Sequence, residues 1–100
     1  MNEWMRDPRV EQAETDAFLA ERAERRGNFT EARGLYHRAA ESLAGVALGV
    51  PADHPNTRSD LAIASIASFA RAGDFGRAIE FGQRMLAEGD ALTPSGRGEI

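Results

Sequence analysis

A short phrase that occurs twice restricts what this chain can fold into more than any other feature. Residues 27–32 read Gly-Asn-Phe-Thr-Glu-Ala, and residues 73–78 read Gly-Asp-Phe-Gly-Arg-Ala. Gly in such a place can take the left-handed backbone that ends a helix, with no Cβ penalty. The Asn or Asp after it can cap the next helix by accepting from its free N–H groups. Glu31, three residues beyond Asn28, completes a capping-box pattern. Phe29 and Phe75 are expected to anchor the turns as apolar side chains, and Ala32 and Ala78 to let two helices approach closely. Each phrase therefore reads as a tight helix-to-helix turn, and the chain as two antiparallel helical hairpins.

Helical periodicity on both sides of each phrase supports this. Asp7-Pro8 is a helix start, with Asp as N-cap and Pro at the first helical position. The first helix is expected over 8–26, with Val10, Ala13, Ala17, Ala20 and Ala23 as its apolar stripe and Phe18 and Leu19 alongside. The second is expected from 28–30 to 48, burying Ala32, Leu35, Tyr36, Ala39, Ala40, Leu43, Val46 and Ala47. Gly34 and Gly45 are poor helix formers, which points to close backbone contact or to fraying there. The third is expected to be capped by Asn56 or Thr57 and to end at Ala72, with Leu61, Ala62, Ser65, Ile66, Phe69 and Ala70 inward. The fourth is expected over 74–88, with Phe75, Ala78, Ile79, Gly82, Met85 and Leu86 inward and Gly89 as its stop. This organises the chain as one helical domain, 1–89, with a first unit at about 8–48 and a second at about 57–88. Residues 90–100 read as a flexible tail or the start of a further helix at Thr93-Pro94. Trp4 and Met5 are expected to pack on the nearest helix.

Gly27 recurs as Gly73, 46 positions on, and a period of 20 to 50 residues built from paired helices marks stacked helical hairpins. The details resemble tetratricopeptide repeats. In the first unit Ala20, Gly27, Asn28, Phe29, Ala32, Tyr36 and Ala39 match that family's pattern of small and aromatic positions. In the second, Gly73, Asp74, Phe75 and Ala78 match, while Gly82 replaces the aromatic and Met85 the later Ala. The long period, with Leu48-Gly49 and Asp53-His54-Pro55-Asn56-Thr57, is similar to the extended subclass found in kinesin light chains and many bacterial multi-repeat proteins. The resemblance covers about 16–88. Asp16 departs from it, standing where the family prefers a large apolar residue, and so does Ala44, where Pro is common.

Composition bounds the function. The formal net charge is −4 with a pI near 5.1, so no electrostatic footprint for nucleic acid is present. All 12 basic residues are Arg, which together with abundant Ala points to GC-rich codons and a bacterial source. Cys is absent, which rules out disulfides, thiolate metal sites and cysteine nucleophiles. The longest apolar stretch, 43–50, is too short to cross a bilayer, and the N-terminus has no signal core. A cytoplasmic protein that acts on no membrane is the expectation.

No catalytic, cofactor or metal constellation emerges. His37 and His54 lack ligand spacing and read as a half-outward helix residue and a turn residue. Ser95-Gly96-Arg97-Gly98 lacks the Lys and the strand of a phosphate loop. Glu21 and Glu24 read as a solvated helix face, and Arg25-Arg26 as charge favourable at a helix C-terminus. The chain is therefore expected not to be an enzyme.

What remains is the concave side, which the resemblance assigns to the first helix of each pair. Carried over, it presents Glu14, Ala17, Glu21 and Glu24 from the first helix, and Asp60, Ile63, Ala64, Ala67 and Arg71 from the third. The basic set that clamps a peptide's terminal carboxylate in some members is missing, and acids stand in several of its places. The resemblance thus implies an adaptor that binds a neutral or basic protein segment, or an amphipathic helix laid on the alanine stripe. The alternatives are a self-assembling homo-oligomer and the N-terminal part of a longer regulatory repeat protein. Two hairpins bury little, and arrays of this kind usually need three units or added caps.

Overall fold

The computed structural model describes residues 3–51 and 53–87. A 3-10 turn, Glu3–Arg6, leads into four helices: α1 Pro8–Arg25, α2 Phe29–Gly49, α3 Pro55–Arg71 and α4 Phe75–Ala87. The fold is all-α. Helix α1 packs along α2, α2 along α3, and α3 more thinly on α4. The expected tail, with Thr93-Pro94, and the Met5 side chain lie outside the described residues, as does the expected last residue of α4, Glu88.

The two turns are near copies. Gly27 has φ 77° and Gly73 φ 79°. In the first, Asn28 N–H donates to Ala23 at 2.8 Å and Gly27 N–H to Glu24 at 2.9 Å. In the second, Asp74 N–H donates to Phe69 at 2.9 Å and Gly73 N–H to Ala70 at 3.0 Å. Both are Schellman motifs, which satisfy the last carbonyls of one helix while reversing the chain. The next helix begins the same way each time, with Ala32 N–H donating to Asn28 O and Ala78 N–H to Asp74 O, both at 3.1 Å.

The caps differ in detail from the expectation. The Asp7 carboxylate accepts from Arg9 N–H at 2.8 Å and caps α1, and Asp74 accepts from Arg77 N–H at 3.3 Å. Asn28 makes no side-chain cap; its amide donates to Glu31 at 2.7 Å instead, so the capping box does not form. Helix α3 starts earlier than Asn56 or Thr57. His54 is its N-cap and Pro55 occupies the first helical position, where a fixed φ and a missing N–H are no handicap.

Alanines dominate the interior, so the helices lie close. Tyr36, Leu61, Phe69, Met85 and Val46 are the large side chains that fill it, and buried Ser65 donates to Ala40 O at 2.8 Å across α3 and α2. Trp4 is partly buried against this core and its ring lies 4.6 Å from His54. Several expected core residues face outward. Phe29 and Phe75 do not anchor the turns, being 57% and 63% exposed, and Ile79, Leu86, Phe18 and Leu19 are exposed too. Helix α4 buries Ala78, Gly82 and Met85 as expected, and Phe81 besides. Its apolar residues form one broad arc, and α3 covers only the side carrying Ala78, Phe81 and Met85. Nothing approaches a Cβ built on Gly34, so no close contact explains that glycine; at Gly45 the Arg9 guanidinium lies 3.3 Å away.

Candidate functional site

A groove of about 260 Å³ runs between α1 and α3. Leu43 of α2 forms its floor, with Val10, Ala13 and Ala17 on one wall and Leu61, Ala64 and Ser68 on the other. It opens because α1 and α3 each pack on α2 rather than on one another. Small side chains line both walls, so the two backbones enclose space that larger residues would fill. Glu14 and Asp60, both exposed, are the ionisable residues in its lining. The groove is an apolar trough with an acid on each rim.

Of the expected binding residues, Glu14, Ala17, Asp60 and Ala64 therefore meet at one place. Ile63 and Ala67 share α3 with Ala64 but do not line the groove. Glu21, Glu24 and Arg71 form a separate knot. Arg71 reaches 3.6 Å from Glu21 and sits 5.1 Å above the Tyr36 ring, while Tyr36 O–H donates to Glu24 at 2.7 Å. Cation–π attraction and the charge-assisted hydrogen bond tie α1, α2 and α3 together here. Burial pushes the Tyr36 phenol up to about 12, and its hydrogen bond to Glu24 adds to this.

Asp16 is the polar group that reasoning from sequence left without a place. It is fully buried, and Arg38 of α2 grips both its oxygens, with Nε at 2.9 Å and Nη2 at 2.6 Å. Gln12 donates a third hydrogen bond at 3.0 Å. The Arg38 hydrogen bonds hold its carboxyl below the usual carboxylate value against the opposing effect of burial. A lone Asp between the apolar positions Ala13 and Ala20 was the only local signal; nothing marked Arg38, which lies on the exposed side of α2. On the other side of the bundle His37 approaches Asp74 at 3.4 Å, and Arg77 donates to Glu41 at 2.8 Å over the Phe69 ring. His54 meets the Trp4 ring at a tilt of 55°. Among the described residues no three His, Cys, Asp or Glu side chains, these histidines included, converge as metal ligands would. Nor is any helix among them long and apolar enough to cross a membrane.

Comparison of the chain with models of known families, with characterised proteins and with solved structures yields no match.

Proposed function

We propose that this chain is a non-catalytic, tetratricopeptide-like interaction module, and that the α1/α3 groove receives an amphipathic helix carrying a basic residue. The observation that carries this reading is the groove itself: apolar walls and floor, with Glu14 and Asp60 as its ionisable lining. Small walls admit the side chains of a helix laid lengthwise, and two acids reward Arg or Lys beside that apolar stripe. A cytoplasmic location belongs to the same reading.

A designed alanine–leucine helix with two Arg flanking its stripe tests it. Titrated into the isotopically labelled protein, it should shift the amides of Ala13, Ala17, Leu61 and Ala64. Its affinity should fall about tenfold for Glu14→Lys combined with Asp60→Lys, a loss of about 1.4 kcal/mol. It should also weaken with added salt, because the rim pairs are exposed. Equal binding of the same helix with Glu in place of Arg would sink the reading, as would shifts confined to residues outside the groove.

A further inference from the structure

Glu14 and Asp60 stand on opposite rims of the groove, and they are not level. One turn beyond its lining residues Ala17 and Ser68, Glu21 and Arg71 meet across the gap at 3.6 Å. The lining, 10–17 facing 60–68, has the same alignment, so a residue of α1 lies beside the residue of α3 numbered about 50 higher. Glu14 is then level with Ala64, and Asp60 lies four residues, about 6 Å, nearer the N-terminal ends of α1 and α3. The contacts of α2 fix the hand of this offset. Viewed from the N-terminus of α2 with the groove uppermost, successive residues turn clockwise by about 100°. Arg38 and Gly45, which meet Asp16 and Arg9 of α1, fall anticlockwise of Leu43. Ala40 and His37, which meet Ser65 and Phe69 of α3, fall clockwise of it. From this viewpoint α1 is on the left and α3 on the right, with Glu14 near and left and Asp60 far and right.

We infer that the helix received by this groove carries two basic residues six positions apart, on opposite flanks of its apolar stripe, in the arrangement Arg-x-x-Leu-x-x-Arg. This rests on the function proposed above and specifies its partner. Six residues turn a helix about 120° anticlockwise in this view while advancing about 9 Å. A first Arg on the left and near is thus followed by a second on the right and far, as the two acids are. The Leu midway between them points down at the groove floor. Reversing the helix end for end leaves this placement unchanged, so the match holds in either direction. A spacing of five turns about 140° in the opposite sense. It puts the near Arg on the right and the far one on the left, each about a turn from the acid on its side. A spacing of two turns in the right sense, but the residue between the two Arg then faces away from the groove.

Two alanine–leucine helices of one composition test this, with Arg flanking the stripe at a spacing of six in one and five in the other. Their helix content is matched by circular dichroism, and each is titrated into the labelled protein at low salt. The six-spaced helix is expected to bind about fivefold more tightly, an advantage of the size that two exposed ion pairs supply. The advantage should vanish at 1 M salt, where screening acts within about 3 Å. It should vanish also in Glu14→Gln, because a single remaining acid is met by sliding either helix along the groove. Equal affinity, or tighter binding of the five-spaced helix, overturns the inference and leaves the groove reading intact. Binding of neither helix overturns both. An advantage that survives in Glu14→Gln overturns the inference as well, since the spacing would then be read by something other than the two rim acids.

Discussion

Asp16 and Arg38 show how little exposure alone says about a residue's weight. Arg38 is 61% exposed and Asp16 is buried, yet removal of the exposed partner is expected to cost more. Asp16→Ala releases Arg38 to water and should cost about 2 kcal/mol, the worth of hydrogen bonds to a charged group. Arg38→Ala leaves the buried carboxylate without its cationic partner and should destabilise more than Asp16→Ala does. Urea denaturation of both single variants and the double checks the order; an Asp16→Ala loss exceeding that of Arg38→Ala contradicts it. The pH dependence follows with a fixed sign. Asp16 is charged in the fold and its carboxyl is held low, so its contribution is complete above the ordinary carboxylate range and is lost as pH falls below it. Asp16→Asn should flatten that acid limb. Tyr36 acts at the other extreme. Its phenol is pushed up to about 12, so its contribution is complete below the ordinary tyrosine value near 10 and fades as pH rises between the two. The chain has one Tyr, so ultraviolet titration of tyrosinate reads it directly. Ionisation near 10 in the folded protein would contradict the buried Glu24 contact. Neither role was legible in the sequence, because each depends on a partner 12 or 22 residues away along the chain.

Among the elements, the turns were the most legible part and α4 the least. Three glycines make the point through one substitution with two signs. Gly27→Ala and Gly73→Ala force a left-handed backbone on a residue with a Cβ and should each destabilise by about 1 to 2 kcal/mol. Gly34→Ala adds a methyl in open space within a helix and should stabilise by about 1 kcal/mol. Thermal denaturation of the three variants decides it; a destabilised Gly34→Ala would mean a contact at that site. The periodicity of α1, α2 and α3 pointed to nearly the right inward residues, since neighbours flank each of those stripes. In α4 the apolar residues form one arc wider than a single neighbour covers, and periodicity does not say which part of it α3 takes. Phe75, Ile79 and Leu86 were therefore placed inside, and Phe81 was missed.

At the scale of the molecule, the shortest dimension is 18 Å, about two helix diameters, as two layers require. In a stack this shallow each helix has a neighbour on few sides, so small changes of packing open or close whole surfaces. Four of the nine expected binding residues, Glu14, Ala17, Asp60 and Ala64, line the groove. Glu21, Glu24 and Arg71 are drawn into the knot around Tyr36, and Ile63 and Ala67 stay outside both. The knot should matter to stability before it matters to binding. The molecule thus carries two apolar surfaces, the groove between α1 and α3 and the face of α4.

The sequence by itself determined where the chain reverses and that everything between the reversals is helix. Those features rest on bonds spanning six residues or fewer, such as Asn28 to Ala23, and on glycines that alone tolerate the backbone angle required. Tertiary structure alone decided that Asp16 is held by Arg38, that α4 keeps half of its apolar residues outside, and that α1 and α3 stand apart over Leu43. Each of these depends on which helix arrives alongside and at what distance, a contact that no local pattern of residues encodes.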